Sequence, residues 1–216
     1  MERRDKMDDL KKNIISNIDL PPIKYKRPFV IALCGYSGTG KTTISRVFSN
    51  ILGCYIVGGD RVRSILLNAP FNYEIEKANL LVSDVTKAEV SHLIQNNASV
   101  VIDKSISSKA ALNDWKLLCP IVITVNLKST DEENIKRLYM KKNKTNQTYE
   151  CMPVYGDSND YSGMYLDPEK LYNEVKMRKI YDLETFDYEI NTLQPFEKVI
   201  EDTKKIANEI KQKYQD

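Results

Sequence analysis

The chain alternates short apolar runs with longer segments of helical periodicity. Residues 29–34 form an unbroken apolar run between Pro28 and Gly35, which is typical of a buried strand. Further strands are predicted at 55–57, 99–102, 121–127 and 186–190, and helices at 41–52, 60–67, 73–97, 107–118, 130–142, 168–184 and 196–213. Strands that alternate with helices need crossover connections, so the pattern predicts a three-layer α/β fold: a parallel sheet with helices on both faces.

Residues 1–28 are predicted to form an appendage to this domain, which would span 29–216. A helix is predicted at 5–18, followed by an extended linker that contains Pro21, Pro22 and Pro28. Two helix starts carry clear signals. Ser129 with Glu132 matches a capping box, and Asp167 precedes Pro168 at a first helical position.

Residues 143–167 are polar, rich in tyrosine and without periodicity. A loop of this length in a compact domain is usually a lid or a binding loop, although an insertion without function is the alternative. Its tyrosines suit stacking and hydrogen bonding to a ring-containing acceptor or nucleotide; they are Tyr149, Tyr155, Tyr161 and Tyr165. We expect a lid at about 143–167.

Composition excludes several classes of protein. The chain is 42% hydrophobic and 29% charged, which rules out disorder throughout, and its formal net charge of +2 gives no electrostatic reason to bind duplex nucleic acid. No apolar run is long enough to span a bilayer, and the charged first residues lack the apolar core of a signal peptide. The four cysteines are far apart, which disfavours a disulfide scaffold or a zinc site and suggests the reducing cytoplasm. His92 is the only histidine and is expected to be structural or solvent-facing.

A phosphate-binding motif lies between the first strand and the next helix. Residues 35–42, GYSGTGKT, match the pattern G-x-x-x-x-G-K-[ST]. Glycines let backbone N–H groups point at phosphate oxygens, and the helix presents its positive end. Lys41 is predicted to bind the β- and γ-phosphates, and Thr42 to ligate Mg²⁺. The predicted ATP-binding residues are Gly35, Ser37, Gly38, Thr39, Gly40, Lys41, Thr42 and Thr43.

The motif indicates a nucleoside triphosphate site without distinguishing a kinase from an ATPase or a GTPase. The segment after the second strand adds chemistry, because ligands bind beyond the carboxyl ends of parallel strands. Asp60 and Arg63 there share a helix face. Either Asp60 orients or deprotonates an acceptor hydroxyl while Arg63 holds an anionic acceptor, or Asp60 is an N-cap beside an ordinary arginine.

The order of strand, phosphate loop, helix and the segment Gly59-Asp60-Arg61-Val62-Arg63 resembles adenylylsulfate kinase. It also resembles the kinase domain of polynucleotide 5′-kinase, and zeta-type toxins place a catalytic aspartate similarly. All belong to the group of small P-loop kinases. The resemblance implies that Asp60 is a general base or an acceptor-orienting residue and that Arg63 contacts the substrate.

The third strand ends in Asp103, and the stretch from Ile102 to Ser107 is similar to the polynucleotide-kinase group. The resemblance implies that Asp103 orients Mg²⁺ through water or lines the acceptor pocket, with Lys109 in the place of the usual substrate-binding arginine. A helix-capping turn is the alternative. Trp115 is expected to be core packing.

In the small P-loop kinases that the chain resembles, the helix after the fourth strand carries cations that meet the transferred phosphate. The resemblance therefore implies this role for cations on helix 130–142: Arg137, Lys141 and Lys142. No arginine lies between residues 138 and 177, so either Arg137 serves as the catalytic cation or the lid closes through tyrosines and lysines, and a solvated basic face is the alternative. The resemblance also implies that the loop 191–195 brackets the adenine, as it often does in this group.

The sequence predicts a kinase that uses ATP and Mg²⁺ to phosphorylate a hydroxyl of a small, anionic or nucleotide-like acceptor. Alternatives are a polynucleotide 5′-hydroxyl kinase, in which nucleic acid enters only as a 5′-end substrate, a nucleotide-sugar kinase toxin, and a regulatory NTP-binding module without an acceptor. No membrane partner is expected, and the oligomeric state stays open.

Overall fold

The fold is built on one parallel sheet. The computed structural model describes residues 2–68, 75–104, 108–143, 155–156, 167–177 and 183–214. In these ranges the strands are β1 Val30–Cys34, β2 Tyr55–Gly58, β3 Val100–Asp103, β4 Val122–Lys128 and β5 Tyr188–Asn191. Their order is β2-β3-β1-β4-β5, and each neighbouring pair is parallel. The predicted α/β fold with a parallel sheet is therefore confirmed.

Helices follow the strands as the crossover connections require. They are α1 Glu2–Ser16, α2 Lys41–Leu52, α3 Gly59–Asn68, α4 Ile75–Gln95, α5 Lys109–Leu118, α6 Asp131–Lys142, α7 Pro168–Met177 and α8 Phe196–Tyr214. The predicted helix 168–184 ends too late, because residues 183 and 184 lie outside any helix. None of the helices in the described ranges is both long and apolar enough to cross a membrane.

One predicted helix cap is confirmed and one is wrong. At the start of α7 the carboxylate of Asp167 accepts a hydrogen bond from the backbone N–H of Lys170. At the start of α6 the cap is Thr130, not Ser129: the Thr130 hydroxyl accepts from the N–H of Glu133 at 3.3 Å. The Ser129 hydroxyl is buried instead, without a hydrogen-bond partner among the described residues.

The central strand β1 packs against helices on both sides of the sheet. Ile31 and Leu33 lie in one apolar cluster with residues of α2 and α8, whereas Ala32 and Cys34 lie in a second with residues of α4 and α5. Trp115 belongs to the second cluster, as predicted. Since every residue of β1 is fully buried, the point at which the chain leaves it is held rigidly.

The register of the strands brings their carboxyl ends to one edge. Gly58 at the end of β2 pairs with Asp103 at the end of β3, and Cys34 pairs with Asn126 of β4. The segments after β1, β2 and β3 therefore leave the sheet side by side.

The N-terminal segment is more closely packed than the sequence suggests. Ile14 of α1 joins a cluster with Val62 of α3 and residues of α4, and Ile18 packs into the cluster of α4 and α5. Tyr25, in the predicted linker, is 1% exposed, and its hydroxyl donates to the carbonyl of Leu52 at 2.7 Å. The boundary at residue 28 stays a prediction, but these side chains are part of the cores of the domain.

Most of the predicted lid, 144–154 and 157–166, lies outside the described residues. The described pair Tyr155 and Gly156 runs along β2, which is an edge strand of the sheet. The backbone N–H of Ile56 donates to the carbonyl of Tyr155 at 2.8 Å. A Cβ on Gly156 would lie 2.2 Å from the Ile56 carbonyl oxygen, so only glycine fits this approach.

We expect Tyr25→Ala to lower the free energy of unfolding by about 3–5 kcal/mol, because it empties a buried aromatic site and removes a hydrogen bond. Urea unfolding followed by circular dichroism measures the change. Lys24→Ala, at the exposed neighbouring position, is the matched control and should have little effect. Equal stability of the two variants would show that the linker is not integral to the fold.

Candidate functional site

The phosphate loop is a closed turn that leads from β1 into α2. The Thr39 hydroxyl, on a side chain that is almost completely buried, donates to the carbonyl of Tyr36 at 2.9 Å. Gly40 precedes α2 in the left-handed region, with φ of 93°, and its carbonyl accepts the helical hydrogen bond from Ile44. Ser37 and Thr43 are half-buried on the loop and on the first turn of α2. The predicted ATP-binding residues therefore lie together on the loop and on the first turn of α2.

Gly38 lies against the backbone of α6. Its φ is 87°, and a Cβ there would come within 2.3 Å of the Asn134 carbonyl oxygen. Both the backbone conformation and the close approach require glycine. The loop is thus supported by α6 as well as by its own strand and helix.

Lys41 folds back over the loop. Its ammonium group donates to the carbonyls of Tyr36 at 2.6 Å and Gly35 at 3.1 Å. The pKa of Lys41 is lowered to about 8, chiefly because the ammonium group is buried; Lys141 adds to this shift, while Asp103 and Asp60 oppose it. A desolvated ammonium with this pKa gains from an added anion, which is the situation that a triphosphate would create.

Asp103 and Thr42 are brought together, as their predicted role in metal binding requires. The side chains of Thr42 and Asp103 are hydrogen-bonded to each other. Burial raises the pKa of Asp103, and Asp60 adds to the shift, whereas Lys41, the bond from Thr42 and Lys141 oppose it. A carboxylate in this position gains from a cation beside it.

The geometry fits Mg²⁺ held together with phosphate. Thr42 and Asp103 offer oxygen atoms, which Mg²⁺ prefers as ligands, and Thr42 directly follows the phosphate loop and Lys41. Among the described residues no group of three or more acidic, histidine or cysteine side chains could hold a metal ion. One carboxylate, one hydroxyl and substrate oxygens are the usual combination for Mg²⁺ in phosphate-transfer sites.

Asp60 lies on the first turn of α3, across from Asp103. Its negative charge acts on Lys41, Asp103 and Lys141, which places it in the same cluster of charges. Its side chain is 52% exposed, and Oδ1 accepts a hydrogen bond from Nη1 of Arg63 at 2.5 Å. The predicted pair of Asp60 and Arg63 is therefore joined directly, with the carboxylate accessible from solvent.

Lys141 is the cation of α6 that reaches this cluster. Burial lowers its pKa, while Asp60 and Asp103 oppose the shift and Arg46 adds to it. Arg46 is buried on α2, one turn beyond Thr42, and the sequence analysis missed it. The signal that could have found Arg46 is its spacing of four residues from Thr42 on the same helix.

Arg137, the predicted catalytic cation, points to a different part of the site. Its guanidinium donates to the hydroxyl of Thr192 at 3.2 Å and also to the Thr192 carbonyl, and Nε donates to Glu133. These contacts join α6 to the loop 191–195, which is the loop predicted to bracket the adenine. The catalytic role of Arg137 stays a prediction.

Lys109, the remaining predicted substrate contact, is not in the cluster. It lies at the start of α5, exposed, with its ammonium 3.5 Å from the carboxylate of Glu184. Its predicted role stays a prediction. Of the lid tyrosines only Tyr155 is described, on the edge of β2, and the other three lie outside the described residues.

Solved structures share this fold at low sequence identity. A gluconokinase from Sinorhizobium meliloti 1021 is 11% identical, with a TM-score of 0.54 over 87% of this chain and 94% of that chain. A shikimate kinase from Acinetobacter baumannii, in complex with shikimate, is 21% identical, with a TM-score of 0.50 over 87% and 93% of the two chains. The PezAT toxin–antitoxin system of Streptococcus pneumoniae gives 18% identity and a TM-score of 0.54 over 64% and 62%.

A comparison with curated protein sequences gave no match. A family model described as an AAA domain matches residues 31–158, which is more than half of the chain and includes the phosphate loop, Asp60, Asp103 and Lys141. The chain therefore belongs to this AAA-domain family, and its fold is that of the small P-loop kinases.

Proposed function

We propose that the chain is a kinase that uses ATP and Mg²⁺ to phosphorylate a hydroxyl group of a small acceptor. The observation that carries the proposal is the convergence of Lys41, Thr42, Asp60, Asp103 and Lys141 at the carboxyl edge of the sheet. A phosphate loop alone would serve any NTP-binding protein. A carboxylate exposed to solvent and facing two lysines is the further element that a hydroxyl acceptor requires.

In the proposed reaction the acceptor oxygen forms a bond to the γ-phosphorus of ATP. The bond from that phosphorus to the oxygen bridging the β- and γ-phosphates breaks, and ADP leaves with its electron pair. The hydroxyl proton passes to Asp60 and then to solvent. Lys41 and Lys141 stabilise negative charge on the oxygens of the transferred group. Mg²⁺, when bound at Thr42 and Asp103, supplies charge neutralisation on the phosphates.

Cations beside Asp60 favour an acceptor that carries a negative charge of its own. Arg63 is bonded to Asp60, and Lys104 follows Asp103 at the end of β3. Desolvation and the nearby positive charges of Arg63 and Lys87 lower the pKa of Lys104, while Asp114, which pairs with Lys87, opposes the shift. Such mutually repelling cations gain when an anionic group binds among them. An anionic or nucleotide-like acceptor therefore suits this side of the site.

The proposal is tested by transfer of labelled γ-phosphate from ATP in the presence of Mg²⁺. The acceptor panel holds adenylylsulfate, nucleosides, UDP-N-acetylglucosamine, shikimate, gluconate and DNA or RNA oligomers with a free 5′-hydroxyl. Label on one of them identifies the acceptor class and separates a small-molecule kinase from a polynucleotide or nucleotide-sugar kinase. Binding of ATP without transfer to any member would favour the regulatory module.

We expect Asp60→Asn to lower the rate of transfer by about 100- to 10,000-fold, because the amide cannot accept the hydroxyl proton. The affinity for ATP should change little, since Asp60 acts on the acceptor side. Single-turnover transfer and equilibrium nucleotide binding measure the two quantities. Asp84→Asn, on the exposed face of α4, is the matched control. Full activity of Asp60→Asn would remove Asp60 from the mechanism without affecting the kinase assignment.

We expect Lys141→Ala to lower kcat by about 100- to 1,000-fold, which is the usual effect of removing one charge-stabilising donor. Lys142→Ala, at the exposed next position of α6, should retain wild-type kcat. Steady-state kinetics at saturating ATP compare the variants, and Lys141→Arg should recover part of the loss. An equal effect of both alanine variants would show that the basic face of α6 acts only as a whole.

A further inference from the structure

Tyr172 of α7 is a buried polar residue outside the cluster of charges. Only 1% of it is exposed, and its hydroxyl donates to Oδ1 of Asp131 at 2.6 Å. The same hydroxyl accepts a long hydrogen bond of 3.5 Å from Nδ2 of Asn134. Burial and the bond to Asp131 raise the pKa of Tyr172 to about 12, so that it is a neutral donor at physiological pH. Tyr172 thus ties α7 to two positions on the first turn of α6.

The position on α6 that Tyr172 contacts is the one that supports the phosphate loop. The backbone of Asn134 is the surface against which Gly38 packs, with no room for a Cβ. The Asn134 side chain is 1% exposed, and its Oδ1 has no hydrogen-bond partner among the described residues. Tyr172 is therefore the described side chain that holds this buried amide.

Tyr172 also contacts the other flank of the loop. Its ring lies 6.0 Å from the ring of Tyr36, edge to face, which is a favourable aromatic arrangement. The carbonyl of Tyr36 accepts the hydrogen bond from the ammonium of Lys41 at 2.6 Å. One side chain on α7 thus acts on the loop at Tyr36 directly and at Gly38 through α6.

We propose that Tyr172 is a positioning residue that keeps the phosphate loop in its binding shape, with its hydrogen bond to Asp131 fixing α6 against Gly38 and its ring supporting Tyr36. The inference rests on the proposed function only in that the loop binds the phosphates of a nucleotide. It does not require transfer to an acceptor. The described contacts of Tyr172 are with Asp131, Asn134 and Tyr36, so its effect on the site passes through the loop.

Asp131 makes two polar contacts, and variants that remove only one of them distinguish an effect on the phosphate loop from a general effect on stability. Besides Tyr172, Asp131 accepts a hydrogen bond from the ammonium of Lys176, and both of these charged side chains are substantially exposed. Lys176→Ala removes the surface ion pair and keeps the bond to Tyr172. Asp131→Asn keeps an oxygen that can accept from Tyr172, whereas Asp131→Ala removes it.

The experiment measures the binding of inorganic tripolyphosphate with Mg²⁺ to the full chain by isothermal titration calorimetry. This probe reports on the loop without the base or an acceptor. We expect Tyr172→Phe and Asp131→Ala each to weaken binding about fivefold, the net value of one buried hydrogen bond. The double variant should be no weaker than either single variant, because both remove the same bond. Asp131→Asn and Lys176→Ala should bind as the wild type does.

Tyr139→Phe is the matched control for loss of a phenol hydroxyl, since Tyr139 lies on α6 and is 40% exposed. Thermal unfolding of every variant separates folding from binding. A lower melting temperature for Tyr172→Phe with unchanged tripolyphosphate affinity would overturn the inference and leave Tyr172 a purely structural residue. Failure of the wild type to bind tripolyphosphate would overturn both this inference and the proposed function. Normal binding with no phosphate transfer would count against the kinase alone.

Discussion

The site depends on the confinement of five charged side chains at one edge of a buried sheet. Lys41, Lys141 and Arg46 stand against Asp60 and Asp103, so the positive groups outnumber the negative ones before any ligand arrives. Removal from water makes the charges of Lys41 and Asp103 costly, which the lowered pKa of Lys41 and the raised pKa of Asp103 both express. The cluster is stable because the surrounding strands and helices hold these side chains in place.

The rigid surroundings are what a phosphate-binding loop requires. A loop whose glycines permit unusual backbone angles is flexible in isolation, and its N–H groups bind an anion well only if they are already oriented. Here β1 is buried on both faces, α2 starts at the loop itself, and α6 closes against Gly38. These elements therefore hold the glycines in the backbone angles that the loop needs.

The sequence predicted those parts of the fold that follow from local pattern. The unbroken apolar run predicted β1, because a strand that is buried on both faces needs apolar residues at every position. The spacing of the phosphate motif predicted the loop, because anion binding needs glycines and a lysine at those positions. The choice between Thr130 and Ser129 as cap was beyond the sequence, since both hydroxyls suit an N-cap and the burial of Ser129 is visible only in the structure. Likewise, the rotation of α6 decides that Lys141 reaches the carboxylates while Arg137 reaches Thr192. Tyr25 and Tyr172 are buried by distant segments, which no local pattern reveals.

The strip formed by Tyr155 and Gly156 has a consequence for self-association. β2 is an outer strand, and an outer strand offers unpaired N–H and C=O groups to any other chain that can add to it. The N–H of Ile56 is paired with the carbonyl of Tyr155. Gly156 passes close to the carbonyl oxygen of Ile56 and covers it. Tyr155 and Gly156 therefore protect part of an apolar strand edge against the addition of a strand from another chain.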